Sequence, residues 1–423
     1  MANMSNREHI NLLTDAEVAD LYSRPQFTEL ERTYYFTLTE LEHLLIEKYT
    51  HLKSKLYFIL QFGYFKATQQ FYSFPIEDAK DDIAFIVQHC LSAGKKEIDG
   101  TLWKEVYRRQ KQDILNHFGY KEWSPDFKPV TVAHLNQLIR IYPKGNDTLR
   151  ELLVYFEHQK ITIPSYRTIQ DLFTEVFTME RNRLNAIMLA LPEATQKKLD
   201  TLIKNDDGLS QINLIRFDQK DFAYCALKSE IEKAKQLQAV YQLSLTLLPS
   251  LHLSNNAIRY YASLVEAYTP SRLRKLTKPQ QWLQVVCFSF YRYKEFMDNL
   301  ITSFQFYVLS FVEEATEYAK LKEAEYIKNL TLDLPKLVEF IHWFSSNTIA
   351  PNMPYKEFSL IGFEILSKER QAALADFIAG KSFDRKAAKW EFYEQSSRRM
   401  GMYLRPILLT VDFEFCKEEG LSF

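Results

Sequence analysis

Apolar residues recur at three- and four-residue intervals almost throughout the 423 residues, glycine is rare at 10 positions, and no segment is rich in strand formers. This patterning predicts an all-α protein built from multi-domain helical bundles. Thr14 with Glu17, Thr28 with Glu31, Thr39 with Glu42 and Thr148 with Glu151 each place a hydroxyl three residues before a carboxylate. At that spacing each side chain accepts from a free N–H of the other's backbone, so helices are expected to begin at all four. Breakers at Pro75, Gly94 to Gly100, Ser124 to Pro129, Tyr142 to Asp147, Pro164, Pro192, Asn205 to Gly208, Pro249, Pro270 to Pro279, Pro335 and Ala350 to Pro354 then divide the chain into single helices or helical hairpins. No repeat of fixed period and no low-complexity tract is visible, which argues against a solenoid.

The segment Leu52 to Phe65 is apolar nearly all round, which in a helix means burial on several sides, so it is expected to be the central helix of the first domain. It lies in the second of two aromatic-rich segments, Arg24 to Thr39 and Lys55 to Phe74. Aromatic residues make up 14% of the chain, more than a plain helical bundle needs, and they concentrate before residue 75 and again from Trp282 to Phe311. Both stretches are expected to be core. Stacking of Tyr57, Tyr64 or Tyr72 on bases is the weaker reading, because Lys53, Lys55 and Lys66 are the only cations in that segment and stacking platforms interleave aromatics with cations.

Length favours two or three domains. A formal net charge of -1 excludes a protein that coats nucleic acid by bulk electrostatics, and leaves local basic faces as the route to phosphates. Cys90, Cys225, Cys287 and Cys416 lack any CxxC spacing, so neither a zinc site nor a disulfide framework is indicated. The chain opens on polar residues without an apolar signal region, and its longest apolar run, Asn299 to Val312, is too short to span a bilayer. The expectation is a cytoplasmic protein with no membrane partner.

Catalytic patterns are missing: no HExxH, GxSxG, P-loop or GxGxxG occurs, and the nine histidines are dispersed. Asp81 with Asp82, Asp206 with Asp207 and Glu313 with Glu314 are adjacent carboxylates, which on a helix point to different faces and do not converge on a metal. No catalytic centre and no cofactor is expected in this chain.

Basic segments are more informative. In Thr101 to Phe118, Trp103, Val106, Tyr107, Gln110 and Ile114 share one helical face, whereas Lys104, Arg108 and Lys111 share another with Arg109 beside them. Such a helix packs on one side and offers cations on the other, as a DNA-contacting helix or a solvated surface helix would. Thr148 to His158, a link over Gln159 to Pro164 and a helix capped by Ser165 are similar to a helix-turn-helix, as is any αα-hairpin. Tyr166, Arg167, Thr168 and Gln170 then occupy the first turns, where a recognition helix meets base edges, and Arg181 and Arg183 continue its basic character. Arg272, Arg274, Lys275 and Lys278 form a third basic cluster, and Arg398 with Arg399 a fourth; in loops such charges are usually solvated.

The two aromatic segments, RPQFTELERTYYFTLT and KLYFILQFGYFKATQQFYSF, resemble the opening of the Tn-three-type transposases, the replicative class II family of bacteria. KQDILNHFGY (Lys111 to Tyr120) with KITIPSYRTIQDLF (Lys160 to Phe173) is similar to the second half of that family's N-terminal domain. NRLNAIMLALPEATQKKLDTLI (Asn182 to Ile203), the helical region to Lys320 and WEFYEQSSRRMGMYLRPILLTVDFE (Trp390 to Glu414) are similar to its middle region. The resemblance implies an N-terminal helical DNA-binding domain over 1–165 and a helical middle region over 166–423. Together these would bind double-stranded DNA at transposon terminal inverted repeats, with a homodimer or a full-length transposase as protein partner. It also implies a later domain in which an Asp-Asp-Glu triad holds divalent metal. That triad has no counterpart in these residues, so the expectation is the DNA-recognition half of a transposase rather than an enzyme. The alternative is a helical interaction protein that acts as partner or inhibitor of an intact transposase.

Overall fold

A computed structural model describes residues 10–74, 76–91, 104–203, 205–206, 209–217, 221–347 and 349–411. Pro75, the 94–100 stretch, Trp103 and Cys416 lie outside the described residues. The fold is all-α. α1 (Asp15–Tyr22), α2 (Glu29–Phe36), α3 (Glu40–Glu47), α4 (Leu52–Thr68) and α5 (Lys80–His89) are followed by α6 (Lys104–Phe118), α7 (Lys128–Ile141), α8 (Gly145–His158), α9 (Tyr166–Leu189) and α10 (Glu193–Ile203). After a minimal antiparallel pairing of β1 (Asn205–Asp206) with β2 (Leu209–Ser210) come α11 (Gln211–Arg216), α12 (Tyr224–Ser250), α13 (Asn255–Ala267) and α14 (Pro270–Arg274). The long α15 (Lys278–Phe344) leads to α16 (Tyr355–Ile365), α17 (Lys368–Ile378) and α18 (Arg385–Leu408). No helix among the described residues is long and apolar enough to cross a membrane.

The chain divides into two compact units, Met1–Thr201 with Leu243–Phe288, and Leu202–Gln242 with Ser289–Phe423. In the first unit, α4 is the axis of one core. Leu56 to Phe65 are all buried, and Phe36, Tyr49, Tyr72, Ile86, Ile114 and Leu115 pack around them. The two aromatic segments are therefore interior, as the apolar periphery of α4 requires. Gly63 is fixed by that packing: a Cβ there would stand 2.4 Å from the Phe36 ring. A second core joins α7, α8 and α9 around Leu135, Leu152, Phe156, Ile169, Phe173 and Val176.

Three of the four helix starts form as the spacing demands. Thr14, Thr28 and Thr39 each cap their helix reciprocally with Glu17, Glu31 and Glu42. Thr148 does not. α8 begins at Gly145, and the buried Thr148 hydroxyl donates back to the carbonyls of Tyr142 (2.5 Å) and Lys144 (3.0 Å). A threonine one turn inside a helix has that alternative whenever the preceding carbonyls are within reach.

In the second unit α18 runs antiparallel to α15, because Arg385 pairs with Glu323 (2.7 Å), Glu391 accepts from Tyr318 (2.9 Å) and Arg399 pairs with Glu314, the numbers falling on α15 as they rise on α18. Buried Ala315, Ala319 and Ala388 leave room for close approach between the two helices. Pro335, expected to break the chain, lies inside α15 instead. A helix-interior proline costs about 3 kcal/mol. Here Leu330 and Leu337 on either side of it pack with Leu366, the C-cap residue of α16, and with Leu374 of α17, which offsets that loss.

Two guanidiniums and a phenol meet the carboxylate of Asp82 in the first core. Arg24 Nη1 donates at 2.6 Å, Arg32 Nε at 2.8 Å and Tyr64 Oη at 2.6 Å. The neighbouring Asp81 is 87% exposed, so the adjacent pair does point to different faces. We expect Asp82→Ala to lower the unfolding free energy by about 3 kcal/mol, the cost of taking the buried carboxylate from two half-buried guanidiniums that keep the Asp78 carbonyl and the more distant Asp81. Asp81→Ala is expected to change it by less than about 0.5 kcal/mol. Urea unfolding followed by circular dichroism measures both.

Candidate nucleic-acid interface

α6 buries Gln110, Ile114 and Leu115, and Gln110 Nε2 donates to the Ser54 carbonyl at 2.7 Å, which ties α6 to the start of α4. Lys104 and Arg108, on the same stripe as Leu115 but nearer the N-terminus of the helix, are exposed. Lys111 lies between, bonded to Glu122 at 2.6 Å and 5.0 Å from the Phe71 ring centre. Arg109 stands 6.0 Å over Tyr49, whose hydroxyl donates to Asp113 at 2.8 Å. Burial first, then Asp113, pushes that phenol above its usual range, so it remains a donor.

Lys104, Arg108 and Lys111 form one wall of a cavity of about 770 Å³. Tyr57 and Gln61 of α4 and the irregular segment Tyr72, Ser73 and Phe74 form the other; Tyr107, Glu105 and Glu122 complete the lining. The far wall is held rigidly. Gln61 donates to the Tyr72 carbonyl at 2.7 Å and accepts from its N–H at 3.4 Å, and Arg24 stacks its guanidinium 5.6 Å from the Phe74 ring centre. Burial, with Glu77 as the lesser cause, raises the Tyr57 phenol; burial, then Glu122, raises that of Tyr107. Both stay protonated at neutral pH and can donate. Patterning within one segment could not find this arrangement, since the cations reach Tyr57 and Tyr72 from a helix roughly thirty to fifty residues further along.

The α8–α9 hairpin has the expected link and cap: Ser165 Oγ accepts from the Thr168 N–H at 3.3 Å. Its first turns are largely occupied. The Tyr166 hydroxyl accepts from the N–H groups of Leu12 (3.1 Å) and Leu13 (3.0 Å), and Gln170 Nε2 donates to the Ile10 carbonyl at 3.2 Å. Tyr22 Oη adds a bond of 2.7 Å to the Pro164 carbonyl, so the 10–22 segment straps the start of α9. Arg167 remains exposed with Asp171 at 3.9 Å, and Arg181 is exposed. Arg183 is bonded to the buried carboxylate of Glu180, which also receives Arg140, and to the Leu251 carbonyl at 2.7 Å.

In the third cluster Arg272 stacks 4.3 Å from the Tyr268 ring centre and Lys278 pairs with Asp200 at 2.7 Å, while Arg274 and Lys275 are exposed. Neither Arg167 nor Arg272 lines the α4–α6 cavity. In the fourth, Arg399 is held by Glu314 over the Phe311 ring. Among the described residues no three His, Cys, Asp or Glu side chains are grouped to hold a metal ion.

Tyr166→Phe removes the acceptor for two backbone N–H groups. Hydrogen exchange at the Leu12 and Leu13 amides is expected to accelerate by about tenfold or more, corresponding to the roughly 1–3 kcal/mol of an orphaned donor. Unchanged protection there would mean that the strap is held by other contacts.

Residues 12–176 match the family model of a domain of unknown function, DUF4158, over less than half of the chain. Comparison with curated proteins gives no match. The α4–α6 cavity and the start of α9 lie inside the matched stretch, while Arg181, Arg183 and the third and fourth basic clusters lie beyond it.

Proposed function

We propose that this chain binds double-stranded DNA at the terminal inverted repeats of a transposon, as the DNA-recognition half of a replicative transposase. The matched domain is typical of transposase-like proteins, and it contains the observation that carries the reading: Lys104, Arg108 and Lys111 presented along a concave, tyrosine-walled face of α6. Cations placed so would contact phosphates first and fix the register of the protein on the duplex. Exposed Arg167 and half-buried Thr168, at the capped start of α9, would be the groups to approach base edges. With the whole chain near neutrality, binding would rest on these local faces and weaken steeply with salt.

Fluorescence anisotropy with the terminal repeats that flank the gene, against scrambled duplexes of equal length, tests this. The repeats are expected to bind more tightly at moderate salt, and Lys104→Ala with Arg108→Ala to reduce the slope of log affinity against log salt by about 2, one per lost phosphate contact. Equal affinity for repeats and scrambled duplex would overturn the sequence-specific reading, and an unchanged slope would remove α6 from the interface.

A further inference from the structure

The same concave face has a shape that duplex binding leaves unused. A B-form backbone is convex and stacked bases are closed to a side pocket, so a regular duplex would lie across the mouth and leave the interior empty. The interior has the volume of a small-molecule site, roughly 300–1,000 Å³. One wall carries Tyr57 and Tyr72, and the α6 wall opposite carries Lys104, Arg108 and Tyr107.

We infer that this cavity takes one unstacked nucleotide of the bound DNA, its base among Tyr57, Tyr72 and Tyr107 and its phosphate on Lys104 and Arg108. The inference rests on the DNA-binding reading above. Base–aromatic stacking offsets the cost of leaving the helical stack. The Tyr57 and Tyr107 hydroxyls, protonated at neutral pH, supply donors to base acceptors, whereas that of Tyr72 is spent on Thr68 (2.9 Å) and leaves only its ring to the base; the Glu105 carboxylate supplies an acceptor for an exocyclic amino group. The pocket is preformed because its 72–74 wall is pinned by Gln61 and its α6 wall by Gln110, so little ordering is left for the moment of binding.

The test compares the full chain on two fluorescein-labelled duplexes of one repeat sequence, one perfect and one with a single bulged iodouracil. The bulged duplex is expected to bind about tenfold more tightly, a factor set by the stacking term. Ultraviolet crosslinking of the iodouracil is expected to mark Tyr57, Tyr72 or Tyr107. Tyr107→Ala, and independently Ser73→Trp, which fills the mouth from an exposed position on the irregular segment, are expected to bring the ratio of the two affinities to near one. Binding of the perfect duplex with no preference for the bulge, or a crosslink outside the cavity, overturns this inference and leaves the DNA-binding reading standing. Failure to bind either duplex overturns both.

Discussion

The carboxylate of Asp82 is the point on which the first helical unit is hung. It is 3% exposed and draws Arg24 and Arg32 from the first aromatic segment and Tyr64 from the second to within hydrogen-bond distance. A buried carboxylate with two cations and a phenol is stable only if all four are in place, because each left alone would be an unpaired charge or an orphaned donor. The arrangement thus specifies one registration of α2, α4 and α5 that apolar packing alone leaves loosely defined. Burial and then Asp82 raise the Tyr64 phenol far above its usual range, so the donor persists across neutral pH.

From that hub the candidate interface follows by short steps. Arg24 stacks on Phe74 as well as binding Asp82, and so couples the hub to the wall of the α4–α6 cavity. Tyr64 and Gln61 lie nearly one turn apart on α4, and Gln61 holds the backbone of Tyr72 on that same wall. α6 is brought opposite by Ile114 and Leu115 in the core and by Gln110 on Ser54, which leaves Lys104 and Arg108 facing the tyrosines.

Local chemistry was the legible part of the sequence. Three threonine–glutamate boxes, the capping serine at 165, the buried α4 and the amphipathic split of α6 all depend on residues within one or two turns of each other, and all appear as their spacing requires. Thr148 and Pro335 departed from expectation because a neighbouring carbonyl and a packed helix face outweighed a local signal. What patterning could not supply was the third dimension of the site. The aromatic segments lacked interleaved cations in sequence, yet α6 brings three of them to the same cavity. Conversely Tyr166 and Gln170 read as groups of a recognition helix and Arg183 as a continuation of its basic character, but each makes hydrogen bonds inside the fold with partners between 68 and 160 residues away.

Under the proposed function, DNA would contact the first unit through α6 and the wall opposite it. Hydrogen–deuterium exchange of the full chain, free and bound to terminal-repeat duplex, decides the matter: DNA-dependent protection is expected over residues 104–111 and 72–74. Protection confined to other segments, such as 272–278 or 385–408, with those two unchanged, would contradict it.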